Sequence, residues 1–386
     1  MRDYLVTETV FQGRRFMAAA FYEGMRLMNL RVRPREEESC VGQIRTGFVA
    51  DRVGNIGGVF VQSGREKFFI SSFPKDADPG HIVFLVTRDA LGNKSPTGTL
   101  ALELAGRYAV VRQKPRGLSF SGRLSGEEKR ILRKWLEGFD ARGLGILVRT
   151  NAGRAEKKVF LEELAGLAAR FSGILEEAGT AGNGKILYRP DPFYVEELDR
   201  TRELPDRILT DLPDAFPLLV QKKQLSAELC FYGRENRALT LPELYGLPRE
   251  LEKLTGRAAW LKSGAYLVIE KTEAFVSIDV NSGKCGKGRI PEETYRKINL
   301  EAAEEAVRQI MLRNLSGMIL IDFINLKSRD HREELVNVMK KLVRRDPLRM
   351  DVIDLTPLGI MEIVRQKGEK SLAERLGLSD QEARRG

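Results

Sequence analysis

The chain has 386 residues, 42% hydrophobic and 31% charged, a globular balance that excludes a disordered or collagen-like polymer. Its 64 Lys and Arg against 54 Asp and Glu leave a net charge of +10, which favours polyanionic partners, while three scattered cysteines (Cys40, Cys230, Cys285) and two histidines (His81, His331) supply no disulfide framework, cysteine zinc site or Ser-His-Asp triad. No apolar run reaches the roughly 18 residues of a bilayer crossing and Met1–Val10 carries acids where a signal peptide is apolar, so a soluble, cytoplasmic chain of roughly two or three domains is expected.

Residues Arg15–Tyr22 and Met25–Val32 flank Glu23-Gly24, a short turn of the kind that joins hairpin strands, and predict a β-hairpin. Alternation along its second arm sets Met25, Leu27, Asn29 and Arg31 on one face and Arg26, Met28, Leu30 and Val32 on the other. From Val41 to about Val111, glycine breaks the chain into short apolar runs: Gly42–Val49, Gly57–Val61, Lys67–Ile70, His81–Val86 and Thr99–Val111. Strands so closely spaced suggest a small closed barrel of the OB type, and its basic and aromatic residues suit single-stranded nucleic acid. Phe68, Phe69 and Lys94 are the candidates, with one of the two rings left to the core because strand neighbours point to opposite faces.

Ser125 and Glu128 form a capping-box pattern ahead of Ile131, Leu132, Trp135, Leu136 and Phe139 at helical spacing. A second helix is predicted over residues 155–177, with Phe160, Leu164, Leu167, Phe171 and Ile174 on one stripe. Between them, Gly145–Thr150 reads as an apolar strand ending in Arg149-Thr150. An Arg fork and a hydroxyl there can hold a terminal phosphate, and the same pair also reads as ordinary solvated surface. Thr180–Gly184 reads as a linker, and residues 188–260 carry little periodicity.

The last third alternates cleanly. Ala274–Val280 is a buried strand, Asn299–Asn314 an amphipathic helix, Gly317–Ile324 a second strand, residues 331–344 a helix and Asp351–Leu355 a third strand, which implies a mostly parallel sheet. Asp279 and Asp322 each stand at the carboxyl end of an apolar strand, where crossover-linked strands bring their ends to one ligand-binding edge. Asn281 follows Asp279 by two and shares its face. Two carboxylates with a carbonyl oxygen make a hard oxygen site suited to Mg²⁺, which can orient a phosphate and activate a water, and Lys284 and Lys287 follow at hand for substrate phosphates. An Asp at a strand end is also a common turn former, and that reading stands beside the first. Asp351, Asp354, His81, His331 and Cys285 read as structural.

The runs Lys262–Glu270, Thr272-Glu273-Ala274, Ile278–Lys284, Asn299–Ala303, Arg313–Gly317 and Ile321–Ile324 resemble the ribonuclease E/G family in order and spacing. Weaker likeness extends upstream through Gly92-Asn93-Lys94, Leu102–Val111 and Leu147–Thr150, so that it covers most of residues 1–367 and is strongest over 257–325. The resemblance implies an α/β (α+β multidomain) chain with a ribonuclease-H-like subdomain split between 1–40 and 185–257. Inserted in it are an S1-type OB barrel (41–115) and a 5′-sensor (116–184), and a deoxyribonuclease-I-like catalytic subdomain (258–370) and a charged tail (371–386) follow. It implies Mg²⁺-dependent endonucleolytic cleavage of single-stranded RNA in RNA processing and decay. Asp279 and Asp322 would hold the metal, and Asn281 would orient Asp279 or the scissile phosphate. Arg149 and Thr150 would bind a 5′-monophosphate, with RNA contacted by Lys94, Lys284 and Phe68 or Phe69. The family's Cys-Pro-x-Cys zinc-link is not found after the catalytic segment, so structural zinc and a zinc-linked dimer are not expected, and any homo-oligomer would form otherwise. Asn325 stands where many members carry a second acid. The rival readings are a non-catalytic RNA-binding protein using the barrel and basic surface, and a metal-dependent enzyme acting on DNA or a small phosphodiester.

Overall fold

The structure, a computed structural model, describes residues 1–36, 39–53, 57–74, 78–90, 94–201, 203–221, 227–233, 238–283, 291–367 and 370–378. The chain divides into two units, one made of Met1–Glu37 with Arg200–Gly386, the other of Glu38–Asp199.

The first unit opens with an antiparallel meander, β1 (Arg2–Phe11), β2 (Arg14–Glu23) and β3 (Arg26–Pro34). The predicted hairpin is β2–β3. Strand β1 is additional, and its polar Asp3, Thr7, Glu8 and Thr9 hid it from a search for apolar alternation. Asp3 is buried because Arg207 grips its carboxylate through Nε and a terminal nitrogen at 2.9 and 2.8 Å and the Tyr245 hydroxyl donates at 2.7 Å. Burial works against the charge, but these donors outweigh it and hold the Asp3 carboxyl below the usual range. Strict alternation fails in β3: a bulge shifts the register after Phe21, so Leu27, Leu30 and Val32 are all buried.

In the second unit β4 (Ile44–Val53), β5 (Gly58–Ser63), β6 (Glu66–Ile70), β7 (Ile82–Arg88) and β8 (Thr97–Thr99) close into a five-stranded barrel. Closure follows from β4 pairing with both β5 and β7, while β8 bridges β6 and β7. The run Thr99–Val111 is not one strand. The chain turns at Gly106-Arg107, and β9 (Glu103–Ala105) and β10 (Ala109–Arg112) join β11 (Gly117–Phe120) and β12 (Gly145–Val148) in a separate four-stranded sheet. Helix α1 (Gly126–Trp135) carries the predicted capping box of Ser125 and Glu128, and α2 (Lys157–Ala178) buries Phe160, Leu164, Phe171 and Ile174. Thr180–Gly184 is no free linker. Thr46 donates its hydroxyl to the Gly182 carbonyl at 2.7 Å, and the Asn183 amide reaches the Gly80 carbonyl at 3.2 Å, so the segment is tied to the barrel. Strand β13 (Ile186–Tyr188) pairs with β4, and α3 (Phe193–Arg200) follows.

The first unit resumes with β14 (Arg207–Thr210), α4 (Ala215–Gln221), β15 (Glu228–Phe231), α5 (Leu241–Leu244) and α6 (Leu247–Thr255). Strands β14 and β15 add in parallel beside β1, completing a five-stranded sheet of order β15-β14-β1-β2-β3. A second sheet follows: β16 (Ala258–Trp260), β17 (Tyr266–Lys271), β18 (Phe275–Asn281), α7 (Glu292–Leu312), β19 (Gly317–Asp322), α8 (Arg329–Leu342), β20 (Met350–Leu355), β21 (Ile360–Arg365) and the short α9 (Leu372–Leu376). Its order is β16-β17-β18-β19-β21-β20, and β18–β19 is its one parallel pair. The expectation of a mostly parallel sheet is corrected here. The Thr356–Gly359 turn folds β21 back onto β20 as a local hairpin, and β21, not β20, pairs with β19. Val276, Ile278, Val280, Ile319 and Ile321 face α7 and α8 in one core, which leaves the opposite face of the sheet open.

Helix α7 is anchored by Glu305, buried among Arg26, Arg308 and Gln309 at 3.1, 2.6 and 2.9 Å. Burial opposes its charge, but Arg308, Gln309 and Arg26 outweigh it and keep the carboxyl below its ordinary value. A depressed carboxyl contributes stability above the unfolded value of about 4.3, and that contribution is lost as pH falls through the folded value. We therefore expect Glu305→Gln to cost about 3 kcal/mol near neutrality and to flatten the loss of stability in acid. Urea unfolding of both proteins at neutral pH and at about pH 4 checks this, and parallel pH dependences would count against it. Among the described residues no helix is long and apolar enough to cross a membrane.

Candidate active site

Along β18 the side chains alternate between core and open face, Val276, Ile278 and Val280 inward and Ser277, Asp279 and Asn281 outward. Strand β19 buries Ile319 and Ile321 and ends on exposed Asp322. Because the two strands are parallel neighbours, Asp279 and Asp322 stand directly opposite each other at the carboxyl edge, about 4.8 Å apart along the sheet. The Asn281 amide donates to Asp279 Oδ2 at 2.7 Å, which fixes the orientation of that carboxylate. Partial burial and then the charge of Asp279 push the Asp322 carboxyl above the usual range. The site thus concentrates negative charge that a cation would relieve. Among the described residues no group of three or more His, Cys, Asp or Glu gathers at one point, and this edge brings together the acidic pair and the Asn281 side chain.

Several residues without an assigned role at the sequence level brace this edge. Asn299 on α7, fully buried, donates to the Ile324 carbonyl at 2.7 Å and accepts from the Ile324 amide at 3.1 Å, gripping the backbone just past Asp322. Glu301, two residues further along α7, accepts from the amides of Lys262 and Ser263 at 2.7 and 3.3 Å and shapes the β16–β17 hairpin. Gly283, at φ +60°, lies so close to the Gly264 carbonyl that a Cβ could not fit. The signal was in the sequence: polar Asn299 and Glu301 on an otherwise apolar-striped helix, which begins at Glu292 and not at the expected Asn299, and a glycine after each of two Ser residues. Their partners were not readable. Asn325 is exposed, and His331 accepts a place beside Glu292, 3.2 Å from Nδ1. Asp351 pairs with Arg349, and Asp354 accepts from the Leu355 amide.

The other predicted residues lie in the second unit. Arg149 follows β12; its amide donates to the Tyr108 carbonyl at 2.8 Å and its guanidinium to the Gly106 carbonyl. Thr150 opens a short 3-10 turn, Thr150–Arg154, with its hydroxyl 2.9 Å from that of Ser121. Both side chains are half-buried. Phe68 is 0% exposed, packed against Phe84 at 5.1 Å with the Arg45 guanidinium over its ring. It belongs to the barrel core and is withdrawn as an RNA contact, because a ligand cannot reach it. Phe69 faces outward beside Phe60, ring centres 5.4 Å apart, and Lys67 lies over Phe60. Phe60 is the aromatic that sequence reading passed over. Lys94 is exposed. Lys284, Lys287 and Cys285 lie outside the described residues.

An open α/β sheet edge carrying two in-register acids is the class of site this fold defines. The model of the Ribonuclease E/G family matches residues 103–368. The chain is 30% identical over 305 residues to ribonuclease E of Synechocystis sp., covering 77% of this chain and 45% of that protein. It is 26% identical over 396 residues to ribonuclease E of Escherichia coli, covering 93% and 36%, and 27% identical over 330 residues to ribonuclease G of Haemophilus influenzae, covering 81% and 64%. The chain spans about half or less of the length of these ribonuclease E relatives. This protein belongs to the ribonuclease E/G family.

Proposed function

We propose that the protein is a Mg²⁺-dependent endoribonuclease that cleaves single-stranded RNA in cytoplasmic RNA processing and decay, ribosomal RNA processing and messenger RNA decay included, with preference for a 5′-monophosphate. The observation that carries this reading is the register of Asp279 opposite Asp322 with Asn281 bonded to Asp279. The residues present suit Mg²⁺, which is commonly held by one or two carboxylates together with substrate phosphate oxygens, and the mutual repulsion of the acidic pair favours a cation between them. Magnesium there would supply charge stabilisation at the scissile phosphate and an activated water. Asp279 and Asp322 would hold the cation, and the Asn281 amide, bonded to Asp279, would keep that carboxylate in place for it.

In the second unit Arg149 and Thr150 would take the terminal phosphate, while Phe69, Phe60 and Lys94 on the barrel would take the strand. The finer division into a ribonuclease-H-like subdomain, an S1-type barrel, a 5′-sensor and a deoxyribonuclease-I-like subdomain belongs to the same proposal. It is supported by the closed barrel, the separate sheet whose β12 leads into Arg149, and the two sheets of the first unit.

The test is single-stranded RNA carrying a 5′-monophosphate or a 5′-hydroxyl, incubated with and without Mg²⁺. Internal products that need the metal, formed about tenfold faster from the monophosphate, are expected. Arg149→Ala and Thr150→Val should each erase most of that preference and leave the 5′-hydroxyl substrate unaffected, as expected for a lost charge-assisted contact of about 1.5–3 kcal/mol. Tight, salt-sensitive binding with no cleavage under any divalent metal would transfer the assignment to an RNA-binding protein.

A further inference from the structure

We propose that Trp260 and Tyr266 form a base-stacking subsite beside the acidic pair, holding a nucleotide of single-stranded RNA close to the scissile phosphate; the proposal rests on the endoribonuclease reading above. Trp260 ends β16 and Tyr266 opens β17, directly paired, with ring centres 4.9 Å apart and planes at 41°. Tyr266 in turn stands directly opposite Asn281 on β18. The row Trp260-Tyr266-Asn281 therefore lies on the open face that bears Asp279, while Ala259, Leu267 and Val280 point into the core. At about 4.8 Å per strand, Trp260 is two strands, or about 10 Å, from Asn281. A few nucleotides of extended RNA span that distance.

Trp260 is 70% exposed, unusual for a side chain whose large apolar surface is ordinarily mostly covered. Tyr266 braces one side of its ring and leaves the rest open. Every base offers a flat π-face to such a ring, so the subsite would be sequence-tolerant. Charge complementarity favours RNA as the occupant. Exposed Lys262 lies in the hairpin joining the two aromatic strands, and the chain carries a net +10. A protein partner laid across the same row would have to desolvate Asn281 and Asp279, which is costly without matched donors, whereas RNA brings its phosphate to them.

The chain has two tryptophans, Trp135 and Trp260, so fluorescence can report the subsite directly. With Asp279→Asn as the uncut background, oligouridylate and oligoadenylate should quench emission. Trp260→Phe, which retains Trp135, should lose that quench yet bind nearly as well, and Trp260→Ala should bind about tenfold more weakly. In the cleaving protein Trp260→Ala should raise KM about tenfold with kcat within about twofold, and Trp260→Phe should behave like the parent. Absence of the quench, or an unchanged KM in Trp260→Ala, overturns the proposal. A dimer that Trp260→Ala dissociates while KM for RNA stays unchanged overturns it too and assigns the pair to a second copy of the chain. Asp279-dependent cleavage alongside those negative results removes the stacking subsite and spares the endoribonuclease reading. A Trp260-dependent quench with no cleavage does the reverse.

Discussion

Asp279→Asn is expected to lower cleavage of single-stranded RNA by about a thousandfold or more while leaving the folded protein as stable as the parent or slightly more so. The chemistry side follows from geometry. A neutral amide at 279 keeps its hydrogen bond from Asn281 through the amide oxygen but removes half of the negative charge that the strand register brings to one point. The stability side follows from electrostatics. Both acids are exposed, and the charge of Asp279 is one reason that the Asp322 carboxyl sits above its usual range, so replacing it relieves repulsion in the folded state. Asp322→Asn should behave in the same way, and the double variant should lose little more than either single one, because the two acids act as a unit. Single-turnover cleavage with urea unfolding of the same preparations checks both halves. Cleavage near the parental rate would move the chemistry away from this sheet edge, and a large loss of stability would mean that the pair is structural.

Asp346→Ala is expected to act in the opposite manner, destabilising the first unit by about 3–5 kcal/mol and lowering cleavage only through the unfolded fraction. Arg365, at the end of β21, reaches Asp346 Oδ2 from Nε at 2.6 Å, and the two side chains are 4% and 0% exposed. A terminal nitrogen of the same guanidinium donates to Asn314 Oδ1 at 2.7 Å and to the Leu315 carbonyl at 2.8 Å. The pair thus ties the loop after α8 and the strand β21 to the turn that launches β19, the strand ending in Asp322. Removing the acid leaves a guanidinium buried with its charge unmatched, which is the costly way to break such a pair. Cleavage by the folded fraction at low temperature should be near parental. A destabilisation below about 1 kcal/mol would mean that water reaches Arg365 on loss of its partner.

Legibility differed along the chain for physical reasons. Helices α1 and α2 were readable because each carries its own signal, a capping box in one and an apolar stripe in the other. Strands β18 and β19 were readable because five or more consecutive residues alternate or run apolar beneath covering helices. Strand β1 was not, since its Asp3 is made tolerable only by Arg207 and Tyr245, which lie more than two hundred residues away in the chain. The bulge in β3 and the turn at Gly106 broke patterns that simple alternation extended straight through.

The candidate site shows the same division. Its acids and Asn281 are legible because residue type and strand position are local properties, and strand alternation by itself sets Phe68 and Phe69 on opposite faces. Which ring faced outward depended on the barrel closing, and closure is a matter of β4 finding β7 across the intervening strands.

The sequence by itself determined the composition-level bias toward a polyanion, helices α1, α2 and α8 with most of α7, the two strand-end acids and the family motifs, because each is written in neighbouring residues. Only the tertiary structure decided that β21 separates β19 from β20, that Asn299 and Glu301 brace the loops around the acids, and that Trp260 stands exposed in a row with Asn281. Those facts depend on pairings between strands and on contacts between distant segments, whose free energies are small individually and are resolved only when the whole sheet and its covering helices form together.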